Sequence, residues 1–129
     1  MKPENVAQVG IRSGTPEEFA ELRSSKRLLR PTAQAVSAFL AQHPNQPIHL
    51  TIDLDVFDPA AFPGTGTPEP GGIFWPEFAA ILAVIPKAQL VGADVVELAP
   101  EWDATGCSAV LAAKVVRELV CKLGTRELG

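Results

Sequence analysis

The chain has 129 residues, of which 47% are hydrophobic and 20% charged, with a formal net charge of -4. That balance fits one small globular unit able to bury a core. It speaks against a nucleic-acid binder, since no basic run exceeds Lys26-Arg27, and against a membrane protein, since no apolar run approaches the ~18 residues of a span.

The first ten residues show no charged-then-apolar leader, so a cytoplasmic location is expected. Val6 to Ile11 reads as a short strand. Thr15, Pro16 and Glu18 then form a helix start, with Thr15 as cap, Pro16 in the first turn and Glu18 closing a capping box. Phe19 and Leu22 give that helix its apolar side, and Leu28-Leu29 is a brief extended piece before Pro31. A second helix is expected from about Thr32 to Gln42, with Val36, Phe39, Leu40 and His43 at helical spacing.

After the turn Pro44-Asn45-Gln46-Pro47, Ile48 to Leu54 reads as a strand, followed by a Pro/Gly-rich loop from Phe57 to Gly72. Pro76 opens a helix whose buried stripe is Phe78, Ile81, Leu82 and Ile85. Gln89 to Leu98 is a valine-rich strand. The last helix runs from about Thr105 to Leu123, with Ala112, Val115, Val116, Leu119 and Leu123 on its apolar face and Lys114, Arg117, Glu118 and Lys122 on the solvated one.

Strands and helices alternate, which implies an α/β fold: a parallel sheet with right-handed crossovers and helices on both faces. So small a sheet leaves an edge open to further strands, and the whole chain, 1–129, reads as a single partial domain. Cys107 and Cys121 fall on one helix ~21 Å apart, beyond disulfide reach. They are expected to be small buried or half-buried apolar residues.

Ligands collect at the carboxyl ends of strands in open parallel sheets. Two such ends carry acids here, Asp53-Leu54-Asp55 and Glu97. On a strand, Asp53 and Asp55 point to the same side, ~6.6 Å apart. Carboxylates so placed repel unless a cation sits between them, and their oxygens suit hard cations such as Mg²⁺ or Mn²⁺. They can equally cap the following turn or remain solvated. Asp58, before Pro59, reads as a cap for the turn Pro59 to Phe62, and Asp94 as a structural acid on the opposite side of its strand from Glu97. His49 lies ~13 Å back along the strand from Asp53, too far to share an ion with it. His43 sits at a helix end, and neither histidine is expected to be a ligand.

The run Thr51-Ile52-Asp53-Leu54-Asp55-Val56-Phe57-Asp58-Pro59, followed by Pro63-Gly64-Thr65-Gly66-Thr67-Pro68-Glu69-Pro70-Gly71-Gly72, resembles the ureohydrolase family. Its members carry Ser/Thr-x-Asp-x-Asp-x-x-Asp-Pro running into Pro-Ala/Gly-Thr-Gly-Thr-Pro-x-x-Gly-Gly. Gly92 to Pro100 is similar to that family's Gly-x-Asp-x-x-Glu-x-x-Pro segment, and Val9-Gly10-Ile11-Arg12 to its Ile-Gly-Ile-Arg strand. The wording of the loop looks more like the agmatinase branch than the arginase branch.

The resemblance implies a manganese-dependent amidinohydrolase in the C-terminal half of an arginase-like three-layer fold. Asp53 would bridge two Mn²⁺ ions, Asp55 would bind one of them, and Glu97 would receive the guanidinium group of a substrate such as agmatine. The family's two other ligand stretches, Gly-Gly-Asp-His and Asp-Ala-His-x-Asp, and its upstream proton-shuttling histidine, have no counterpart here. The chain is therefore expected to supply only part of the metal ligands and to be inactive alone. A complementing N-terminal half or a homo-oligomer is the expected partner. A truncated or split-gene product, a non-catalytic remnant serving assembly, and an incomplete record of a longer enzyme all fit; Met1 falls just before a strand that belongs mid-domain.

Overall fold

The computed structural model describes residues 2–124. Among these the elements run β1 (Gln8–Val9), α1 (Pro16–Ser24), β2 (Leu28–Leu29), α2 (Ala33–Ala41), β3 (Ile48–Asp53), α3 (Trp75–Val84), β4 (Leu90–Val96) and α4 (Cys107–Leu123). Short 3-10 turns occupy Pro3–Asn5, Leu54–Val56 and Pro100–Trp102. The parallel α/β class expected from the alternation is what the structure has. Its strands fall into two parallel pairs, β1 with β2 and β3 with β4, rather than one continuous sheet. No helix of the described residues is long and apolar enough to cross a membrane.

Local chemistry accounts for most element ends. The Thr15 hydroxyl accepts from the Glu18 N–H while the Glu18 carboxylate accepts from the Thr15 N–H, the expected capping box. Thr32 caps α2 in the same manner, accepting from the Ala35 N–H. In α3, Pro76 stands in the first turn and Glu77 accepts from the Phe74 N–H. β1 is shorter than expected because only Gln8 and Val9 find partners, Leu28 and Leu29.

The core sits where α2, α3 and α4 meet one face of β3–β4. Ile52, Leu90, Val36, Phe78, Leu82, Val115 and Leu119 are buried there, and Leu54, Phe57 and Phe62 fill the end beneath the loop. Along β3 and β4, burial alternates with exposure, so the opposite face carries exposed His49, Thr51 and Asp94. The His49 imidazole donates to Asp94 at 2.8 Å and the Thr51 hydroxyl to the same oxygen at 3.2 Å. His43 instead stacks on Phe39 and donates to its carbonyl, closing the end of α2.

Three expectations for α4 are corrected. Val116 is 45% exposed, because the covered stripe follows Ser108, Ala112, Val115 and Leu119. Cys107 and Cys121 are both exposed, the first in the opening turn and the second well off that stripe. Lys122 is half-buried, donating to the Leu82 carbonyl at 2.8 Å, with its apolar stem laid along α3.

Candidate functional site

β3 ends at Asp53, and the chain tightens at once into the 3-10 turn Leu54–Val56. Asp55 is therefore not a strand residue, as the spacing had implied. The turn brings its carboxyl within hydrogen-bonding reach of Asp53 instead of holding the two a strand repeat apart. The turn closes through the Phe57 N–H on the Leu54 carbonyl, and its remaining carbonyls are met by a residue far away in sequence. The Arg12 guanidinium donates to the carbonyls of Asp55, Val56 (3.1 Å), Gly10 (3.3 Å) and Glu69 (3.0 Å). A planar fork of five N–H groups suits such a cluster of carbonyls.

Partial burial of its carboxyl, then the neighbouring Asp55 charge and a hydrogen bond with Asp55, push Asp53 up to about 6; the Glu97 charge adds to the effect. Asp53 and Asp55 thus stand side by side, and Glu97 lies near enough for its charge to act on Asp53. Asp55 is further fixed by the Thr67 hydroxyl, which donates to it at 3.0 Å. Glu97 follows the last residue of β4 and has φ 64, the left-handed region that costs a non-glycine residue about 1–3 kcal/mol. The kink turns the chain so that the Ala99 N–H donates to the Gly64 carbonyl at 2.8 Å.

The loop between β3 and α3 is anchored along its length. Asp58 accepts from the N–H groups of Ala60 (3.0 Å), Gly71 (2.8 Å) and Gly72 (3.2 Å), so it caps the turn as expected and also ties down the far end of the loop. Those bonds hold its carboxyl below the usual carboxylate range, the Ala60 contribution being largest. Gly72 runs so close to Phe57 and Asp58 that a Cβ there would lie 2.3 Å from the Asp58 nitrogen. Phe57 and Ile73 form an isolated parallel bridge at this contact. Midway along the loop, Gly64 packs against Ser108 and Asp103 at the start of α4. Asp103 accepts from the Ser108 N–H at 2.7 Å and from the Thr105 N–H at 2.9 Å.

With this geometry in hand, a family model described as "Arginase family" matches residues 1–121. The chain belongs to the arginase family. It is 40% identical over 122 residues to the agmatinase of Bacillus cereus, covering 92% of this chain and 42% of that protein. Among solved structures, it is similar to the proclavaminate amidino hydrolase of Streptomyces clavuligerus, with 30% identity and a TM-score of 0.80 over 94% of this chain and 44% of that one. It is also similar to the arginase of Bacillus subtilis, with 27% identity and a TM-score of 0.80 over 99% of this chain and 48% of that one. The chain thus spans about two-fifths of the length of the curated relatives it matches.

In this arginase-family chain, no group of three or more His, Cys, Asp or Glu side chains among the described residues is arranged to hold a metal ion. What it does present is a cluster of carboxylate oxygens, the donor set of a hard divalent cation. Partial burial, and then the neighbouring Asp55 charge, make the Asp53 carboxyl less acidic, the kind of repulsion that a cation between two carboxylates relieves. Sequence reasoning assigned nothing to Arg12, Thr67 or the Asp103–Ser108 pair. Arg12 was visible only as a letter in a matching strand, and its main-chain targets other than Gly10 lie 43 to 57 residues away.

Proposed function

We propose that this chain carries one part of a metal-dependent amidinohydrolase site, which splits a guanidino compound into urea and an amine. Agmatine is the first choice of substrate. The observation that supports the reading is the meeting of Asp53, Asp55 and Glu97 just beyond the carboxyl ends of the paired strands β3 and β4. Family membership and the similarity to an agmatinase and an amidino hydrolase point the same way.

In this reading Asp53 and Asp55 would be the residues of this chain that hold manganese, with the Thr67 hydroxyl and the Arg12 clamp keeping Asp55 in place. When bound, such ions supply hydroxide at neutral pH by lowering the pKa of water. Glu97 grips the planar guanidinium through two parallel charge-assisted bonds and so orients its carbon. Water adds at that carbon, the bond to the alkyl-bearing nitrogen breaks, and the amine departs with a proton while urea is left. Two aspartates cannot fill the oxygen positions of two divalent ions. The remaining donors come from a further arginase-family segment that works with this chain.

The test is urea release from agmatine in manganese by this chain co-expressed with the unmatched N-terminal portion of the Bacillus cereus agmatinase. Asp53→Asn is expected to lower the rate at least a hundredfold, and Glu97→Gln to raise KM steeply. Equal rates for wild type and Asp53→Asn would remove Asp53 from the metal site.

A further inference from the structure

Burial along β4 does not keep step with a regular strand. Leu90, Ala93 and Val95 pack on the core, whereas Asp94 and Val96 are exposed. Residues on one face of a strand recur at every second position, so Leu90 and Ala93 would ordinarily fall on opposite faces. Continued in phase from Leu90, the strand would turn Gly92, Asp94 and Val96 inward and carry a carboxylate into an apolar core, which is costly.

The break lies in the pairing with β3. Ile48 stands opposite Leu90, but the next residue, His49, stands opposite Gly92, so Val91 is left over as the extra residue of a bulge. Beyond it the phase is reversed, with Thr51 opposite Asp94 and Asp53 opposite Val96. Side chains on the outer face hold that reversed phase. His49 lies over Gly92, where a Cβ would come 3.0 Å from its Nδ1. From there its Nε2 reaches Asp94 at 2.8 Å, and the Thr51 hydroxyl reaches the same carboxylate oxygen at 3.2 Å. Two residues of β3 thus bind across the ladder to one acid of β4.

The consequence falls on the next few residues. Glu97 directly follows Val96, the partner of Asp53. Without the bulge Asp53 would face Val95, and Glu97 would stand one residue, about 3.3 Å, further along. A misplacement of about 1 Å is already enough to impair a reaction.

We infer that Asp94, held by His49 and Thr51, is a positioning residue: it locks β4 in the bulged register and so sets where Glu97 stands relative to Asp53. Its consequence for substrate binding rests on the reading above of Glu97 as the guanidinium acceptor. The lock itself belongs to this chain alone.

The lock is tested on the full chain by NMR, from cross-strand contacts between β3 and β4, with no activity readout. Wild type and Asp94→Asn, whose amide oxygen still accepts from both partners, are expected to place Thr51 beside residue 94 and Asp53 beside Val96. Asp94→Val, free to turn inward, is expected to exchange these contacts for Asp53 beside Val95. If it unfolds, Asp94→Ala carries the same expectation. An unchanged register in a folded valine or alanine variant overturns the inference. In the assembly with the N-terminal portion of the Bacillus cereus agmatinase, Asp94→Val is expected to raise KM for agmatine at least tenfold with a much smaller change in kcat. Asp94→Asn should restore KM, and Asp94→Val should add little to Glu97→Gln, since the two act through one group. Full additivity of those two variants overturns action through Glu97. The expected register shift together with no urea from the wild-type assembly removes the proposed function and leaves the lock standing.

Discussion

The Ser108 hydroxyl accepts a 2.8 Å hydrogen bond from the main-chain N–H of Gly64, joining the first turn of α4 to the loop that follows the paired aspartates. Both groups are buried. Ser108→Ala leaves the Gly64 N–H without a partner, at a cost of about 1–3 kcal/mol. Urea unfolding is expected to show a lower midpoint with an unchanged slope. An unaltered midpoint would mean that the bond contributes nothing.

Asp103 stands behind that contact and sets an acid limit on stability. The Thr105 hydroxyl, and then the Ser108 side chain and N–H, hold its carboxyl well below the usual carboxylate range. A carboxyl depressed in the folded state contributes stability that is fully present above its unfolded pKa of about 3.9 and is lost as the pH falls through the folded value. Thermal melts are expected to show wild type losing stability below about pH 4, with Asp103→Asn less stable at pH 7 and flatter across the acid range. Parallel curves for the two proteins would show that Asp103 is not the group responsible.

Asp53 works in the opposite sense. Its folded value of about 6 lies above the unfolded one, so the native chain holds a proton that the unfolded chain has released. Metal-free stability should decline as the pH rises from about 4 through 6. Asp53→Asn is expected to be the more stable protein at pH 7.5 and no better than wild type at pH 4. The side chain is exposed, so solvent screening keeps the effect small. A stability gain of the same size at both pH values would attribute it to something other than charge.

Arg12 binds four carbonyls on three segments. Arg12→Ala is expected to lower stability by about 2 kcal/mol and to speed amide exchange at Gly71, Gly72 and Ile73. Arg12→Lys should restore less than half of this, since an ammonium is a point charge without the planar fork. Full rescue by lysine would reduce the role of Arg12 to its charge.

The contrast between Thr15 and Asp55 explains what the sequence could disclose. The Thr15–Glu18 box is complete within four residues, so α1 could be placed from local chemistry alone. Asp55 looked like a strand residue because alternation continued through it, whereas it lies in a turn whose carbonyl is met by an arginine 43 residues upstream. Glu97 was named through a motif, but nothing local announces a left-handed glutamate. In α4, periodicity revealed apolar surface in excess without saying which flank the core would take, and so Val116 was placed inside. Asp53, Asp55 and Glu97 were legible as a group because strand ends in a parallel sheet face one way.

The anchoring of the loop between β3 and α3 bears on selectivity. Its main chain is held at Gly64, Glu69, Gly71 and Gly72, and Thr67 is tethered through its hydroxyl to Asp55. Gly72 has no space in which to swing. A segment held at so many points behaves as masonry, not as a door. Under the proposed function it would shape one side of an entrance without opening or shutting it, and discrimination among guanidino compounds of different length would fall to the polypeptide on the facing side.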